Sequence, residues 1–244
     1  TRSLLNNNKN NLIGLVVLLS LATGGFLLLT PSKDTHVTLY HQSKWNHYSP
    51  EVERALERSK DVQKLSLDNV YGAVLPHHIP TTIPQMVEMY ERLKKTKVVK
   101  KIIIIGPDHT DAGISPVTVS NAHFVTTFGQ LRPIDNLAFK LQEDNLATVE
   151  EAPFDEEHSI GTHMLLISKV FPDAKVTPII LRSNTTKEHA EALGVAVAEY
   201  LDEETILIAS VDFSHYLSND QAGSLDRISG EVLRNLDTEA LSLI

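Results

Sequence analysis

Cysteine is missing altogether from the 244 residues, so disulfides and thiolate metal ligands are both excluded within the chain. Any metal site must be assembled from the 11 histidines and 31 acidic residues. Positive charge is also scarce. The 22 Lys and Arg leave a formal net charge of −9, and a chain poor in basic surface is a weak match for a phosphate backbone. Nucleic acid is therefore not expected as a partner. No Gly-rich fingerprint follows a strand-like run, which leaves a nucleotide reading with little support. No Gly-x-Ser-x-Gly elbow is present, which argues against an α/β-hydrolase. Internal repeats and low-complexity segments are lacking as well. With 42% hydrophobic residues, the chain is long enough for one domain with a substantial core.

Charge is absent from Leu12 to Leu29, a run of 18 residues that as a helix just spans a bilayer. Arg2 and Lys9 precede it and favour a cytoplasmic N-terminus. No small-x-small cleavage site follows. Residues 1–33 are therefore expected to be an uncleaved signal anchor or transmembrane segment, ahead of a cleaved signal peptide or a buried core helix. The globular part would be membrane-anchored and extracytoplasmic. Residues 34–68 read as a juxtamembrane linker with a short helix near Ser49–Lys60, started by Ser49-Pro50-Glu51. His36, His41 and His47 read there as exposed loop residues, and the lone Trp45 as a membrane-proximal or surface residue. The chain opens without Met and stops at Leu241-Ser-Leu-Ile244, so a fragment is expected, truncated at the C-terminus of the domain 69–244.

What is present is organised around Ile102–Ile105. Four β-branched residues in a row are stiff and suit a pleated strand. A strand apolar on both faces belongs inside a parallel sheet covered by helices. Gly106-Pro107 is expected to turn the chain, and Asp108-His109 follow. Val70–Leu75 reads as another strand, ended by Pro76 and followed by His77-His78. Thr82-Ile-Pro-Gln85 resembles a capping box opening a helix with Ile83, Met86, Val87, Tyr90 and Leu93 on one face. The two strands and this helix make a βαβ unit with a right-handed crossover. Further strands are expected at 115–119, 176–181 and 205–211. Helices are expected near 135–145, 160–170, after Thr185-Thr-Lys-Glu188, and at 220–236, with a loop through Thr126–Gly129. The fold class is α/β, a mostly parallel sheet with helices on both faces.

Three apolar strands thus end in His77-His78, in Asp108-His109 and in Asp212-Phe-Ser-His215. If the sheet is parallel, all three clusters reach one edge, where open α/β sheets bind ligands. Two neutral imidazoles with a carboxylate form the facial set favoured by non-haem Fe(II), and they also suit Zn. Asp212 and His215 can alternatively act as an acid/base pair, the carboxylate fixing the ring tautomer. Glu156-Glu157-His158-Ser159 opens a helix, where carboxylates also serve simply as caps. His163 is rotated away from His158 and reads as packing. His123 and His189 have no special context.

Pro76-His77, Ile105-Gly-Pro-Asp-His109, Asp155-Glu-Glu-His-Ser-Ile160 with His163, and Ser210-Val-Asp-Phe-Ser-His215, in this order, resemble the Memo family. In prokaryotes the family is also called AmmeMemoRadiSam system protein B. The resemblance runs from about Gly72 to the end. It implies a fold similar to class III extradiol ring-cleaving dioxygenases, which use non-haem Fe(II). It implies that His77 and His109 are metal ligands, that Asp212 and His215 are the acidic and basic catalytic residues of the pocket, and that Glu157 and His158 line it. The chain departs from the family in three places. Pro76-His77-His78-Ile79 stands where the family has Pro-His-Ala-Gly or similar, His109-Thr110 where it often has two histidines, and the family's third ligand, a cysteine near a Cys-Gly pair, has no counterpart.

The resemblance and the strand-end histidines together lead to three expectations. The first is a redox-active non-haem iron protein, an oxygen-using enzyme. The second is a binding module for a small molecule, a peptide or a protein of a radical-SAM-linked modification system. The third is a metal-assisted hydrolase using Zn and a bound water, with His215 or Glu157 as base.

Overall fold

The structure is a computed structural model and describes residues 38–66 and 69–235. Its centre is β3, Lys101–Pro107. Ile102 and Ile104 point into one hydrophobic cluster and Ile103 into another, as strand alternation requires. All three are fully buried, and each contributes about 2 kcal/mol by leaving water. Gly106 and Pro107 stay in register with Ile180 and Leu181, so the strand runs two residues beyond the expected turn. Pro107 sits at the strand end, where its missing N–H costs little, and the chain turns at Asp108.

The main sheet has six strands in the order β2-β9-β3-β8-β4-β7. They are β2 Gly72–Leu75, β9 Thr205–Ser210, β3, β8 Lys175–Leu181, β4 Val117–Val119 and β7 Thr148–Val149. The four strands from β2 to β8 are parallel, and β4 joins β8 antiparallel. A smaller sheet joins β1 Tyr40–Gln42, β5 His123–Thr126 and β6 Gly129–Leu131. The β5–β6 turn occupies the stretch read as a loop, with Gly129 at φ 147°, a conformation glycine adopts without strain.

Helices cover both faces of the main sheet. On one lie α1 Ser49–Arg58, α2 Ile83–Thr96 and α4 His158–Val170, which supply Val52, Met86, Tyr90, Leu93 and Met164 to the first cluster. On the other lie α3 Leu137–Glu143 and α5 Lys187–Ala198, which supply Leu137, Leu141, Leu193 and Val197. The last helix, α6 Asn219–Asn235, has no buried residue. Two caps differ in detail from expectation. Thr82 precedes α2, but its hydroxyl donates to the His78 carbonyl. Thr186, rather than Thr185, caps α5 by accepting the His189 N–H.

The stretch read as a linker is part of the packed fold. Its β1 pairs with β5, and Val52 and Ala55 of α1 are buried in the core. Two of its residues are not the exposed groups expected. His41 is buried between Glu151 and Asp155. Trp45 packs its ring against Gly161 of α4. His47 is exposed, and His36 lies outside the described residues.

Among the described residues, no helix is long and apolar enough to cross a membrane. The most buried helix, α4, has 13 residues and is about 20 Å long against a hydrocarbon layer of about 30 Å. The membrane-anchored, extracytoplasmic placement is corrected to that extent: no helix of the described residues supports it. The run at 12–29 on which that placement rested lies outside the described residues.

Candidate metal centre

The strands β2, β9 and β3 are neighbours and parallel, so their carboxyl ends open on one crevice. His77 follows β2, His109 follows β3, and Asp212 and His215 follow β9. The first turn of α4 brings Glu157 and His158 to the same place. His77, His109 and His158 can each offer one ring nitrogen, and these nitrogens lie within 4.8 Å of one another. The rings of His109 and His158 stack at 4.0 Å, and His77 stands edge-on to both at 5.2 and 5.3 Å. His158, read from the sequence as a pocket-lining residue, is therefore a member of the imidazole group itself.

Two carboxylates support the group, Glu157 at His109 and Asp212 at His77. Glu157 caps α4 by accepting the Ser159 N–H. It also accepts the His109 backbone N–H and the His109 Nδ1–H, each at 2.8 Å. Burial alone would raise the Glu157 pKa, but these hydrogen bonds from Ser159 and His109 hold it below the usual carboxylate range. A carboxylate can only accept, so in the neutral His109 ring the proton is on Nδ1 and Nε2 keeps its lone pair. Glu157 thus caps the helix, as its sequence position allowed, and in addition orients a ring. Its side chain is 3% exposed and faces His109 rather than the open crevice.

Asp212 accepts the His77 backbone N–H at 2.8 Å through Oδ1. Its Oδ2 lies 3.5 Å from His77 Nε2 and 3.9 Å from His215 Nε2. His215 is half-exposed and stands on the solvent side of the dyad. Asp108, next to His109 in sequence, points elsewhere. It accepts the backbone N–H groups of Ala112 and Gly113 and shapes the loop after β3.

Burial pushes the His77 pKa down to about 4, the neighbouring His109 and His158 rings adding to the effect against the pull of Asp212. His158 is lowered as well, first by burial and then by His109. Near neutral pH both rings are neutral, the form that binds a metal. Beneath the group, His163 is fully buried, as its packing role predicts. Its Nδ1 lies 2.6 Å from the Tyr90 hydroxyl.

Comparison with known proteins agrees with this picture. The family model for Memo-like protein matches residues 41–244. A MEMO1 family protein of Nitrosopumilus maritimus is 30% identical over 177 residues, covering 70% of this chain and 63% of that protein. One of Caldivirga maquilingensis is 28% identical over 207 residues, covering 82% and 71%. One of Methanopyrus kandleri is 29% identical over 172 residues, covering 68% and 60%. The matched part thus spans less than two thirds of the first and third of these relatives. The likeness to class III extradiol dioxygenases is consistent with this family. With the family model covering most of its length and the strand-end histidines gathered in one crevice, the chain belongs to the Memo family.

Proposed function

We propose that the crevice binds one divalent metal through His77, His109 and His158, and that the metal is iron(II) serving an oxygen-using redox reaction. The observation that carries this reading is the set of three ring nitrogens within 4.8 Å of one another. The donor set fits a metal: the rings of His77 and His158 are held neutral, and Glu157 leaves His109 Nε2 with a free lone pair. The preference for iron rests on the family likeness to non-haem iron dioxygenases. When bound, the metal supplies Lewis acidity and, as iron, one-electron redox chemistry.

The chain's own residues have distinct tasks in this reading. Glu157 holds the His109 ring at its angle. Asp212 fixes the backbone at His77 and, through Oδ2, orients the His215 ring. His215, on the open side, takes or gives a proton at the substrate through a ring nitrogen. A second reading is favoured by one feature. All three donors are imidazoles, which is also the donor set of a catalytic zinc. Metal-assisted hydrolysis would then use His215 as base.

Anaerobic loading with Fe(II) or Zn(II), followed by elemental analysis, tests the site. About one metal per chain is expected in the wild type and strongly reduced occupancy in a His77→Ala/His109→Ala variant. Equal occupancy in both ends the proposal. Oxygen uptake by the iron-loaded protein favours the redox reading, and Zn-dependent ester or amide cleavage without oxygen uptake favours hydrolysis.

A further inference from the structure

We propose that Ser210 is a positioning residue for this centre: it fixes the ring tautomer of His77 and so determines which nitrogen faces the crevice. The inference rests on the metal reading above, but it is argued from the placement of one hydrogen. Ser210 Oγ lies 2.6 Å from the carbonyl oxygen of Ser159. A carbonyl has no hydrogen to give, so the hydroxyl donates and its single proton is committed. The same Oγ lies 2.9 Å from His77 Nδ1. With its proton spent, the oxygen there can only accept. The hydrogen between the two groups therefore belongs to Nδ1, and the neutral ring keeps its lone pair on Nε2.

The consequence lies on the other side of the ring. His77 Nε2 faces Asp212 Oδ2 across 3.5 Å. A lone pair and a carboxylate oxygen meet there with no proton between them, an arrangement that a cation relieves. His109 is set the same way by Glu157. The two ligand histidines that follow strands thus both present Nε2, one locked by a carboxylate and the other by a neutral hydroxyl.

The relay is built into the packing of the surrounding elements. Ser210 ends β9 and pairs with Leu75, two residues ahead of His77. Ser159, in the first turn of α4, donates its own hydroxyl to the Pro107 carbonyl at 2.9 Å. Both serines are fully buried. Gly106 of β3 provides the space. A Cβ there would lie 2.7 Å from Ser159 Oγ and 3.4 Å from Ser210 Cβ. A glycine inside a strand often marks such a close approach. The relay therefore ties together β3, α4 and β9 beside His77.

Long-range 1H–15N spectra of histidine-labelled, metal-free protein read the tautomer, with His77 assigned by its loss in His77→Gln. The expected wild-type signature is a protonated Nδ1 and a lone pair on Nε2. Ser210→Ala should let the Nε2–H form gain population and weaken Zn(II) binding about tenfold or more. Ser210→Thr, which keeps the hydroxyl, should restore both. A wild-type His77 protonated on Nε2 overturns the proposal without any variant, and so does an unchanged tautomer ratio in Ser210→Ala. A wild-type protein that takes up neither Zn(II) nor Fe(II) overturns the metal reading instead, and the tautomer spectra then decide the role of Ser210 by themselves.

Discussion

His109 and Glu157, 48 residues apart, are joined by two hydrogen bonds of 2.8 Å, one from the backbone and one from the ring. The carboxylate is therefore a splint between the loop after β3 and the start of α4. Because it also accepts the Ser159 N–H, one side chain serves three donors.

Glu157→Gln tests that splint. An amide has one acceptor oxygen, so its NH2 group must face a donor and leave it unpaired. The expected cost is about 1–3 kcal/mol in urea unfolding, together with a 10- to 100-fold loss of metal affinity. A variant as stable as wild type with undiminished Zn(II) binding would show that the splint is dispensable.

His41 makes stability depend on pH. Burial by itself would lower its pKa, but hydrogen bonds to Glu151 and Asp155 raise it above 6.5. For Glu151, burial pushes upward, while hydrogen bonds from His41, Ser120 and Asn121 win and bring it below 4.5. The sign follows from linkage. The raised His41 stabilises fully below its unfolded value of 6.5, and the gain is lost as pH rises through the folded value. The lowered Glu151 stabilises above 4.5, and that gain is lost as pH falls. The stability difference between wild type and His41→Gln should therefore peak between pH 4.5 and 6.5. A flat difference in urea unfolding from acid to alkaline pH would contradict this.

Gly161 and Trp45 provide a coupling test. A Cβ on Gly161 would lie 2.0–2.6 Å from three atoms of the Trp45 ring, an overlap that rigid neighbours cannot absorb. Alanine should gain about 1 kcal/mol of helix propensity and lose about 1–3 kcal/mol to overpacking, for a net loss. In a Trp45→Ala background the clash disappears, and Gly161→Ala should become neutral or stabilising. Melting temperatures of the four proteins measure the coupling. Additive effects would mean that the ring does not rest on the helix.

Much of the site was legible because its residues sit where the apolar pattern breaks. Ile102–Ile105 and Thr205–Val211 read as buried strands from their short apolar runs, and the groups after them had to emerge at one edge once the strands ran parallel. The same logic failed for His41 and Trp45. Their neighbours are polar, and the partners that bury them, Glu151, Asp155 and Gly161, lie more than a hundred residues away. Gly106 was misread for a related reason. Glycine before proline signals a turn locally, but its real constraint is the room needed by Ser159 and Ser210. His158 read from the sequence only as a pocket-lining residue, because it stands at a helix start rather than at the end of an apolar strand. Only the packing of α4 against β3 brings its ring beside His77 and His109.

Tyr90 and His163 form a buried pair with no charge to support it. The His163 pKa is pushed down to about 3 by burial and the nearby His77, and burial raises Tyr90. Both stay neutral through the physiological range, joined by one hydrogen bond of 2.6 Å. Tyr90→Phe strands the His163 Nδ1 in the core, where Nε2 has no partner among the described residues. The expected loss is about 1–3 kcal/mol. His163→Leu should lose a similar amount by stranding the phenol. The double variant removes both polar ends and should cost less than the sum of the two. The pH dependence of the histidine variant is opposite to that at His41. A folded value of about 3 against an unfolded 6.5 means that wild type loses stability as pH falls below 6.5, because only the unfolded chain takes up the proton. His163→Leu should therefore narrow its deficit, or overtake wild type, on the way from neutral to about pH 4. A deficit that widens towards acid in denaturant titrations would show that the ring is charged in the folded core.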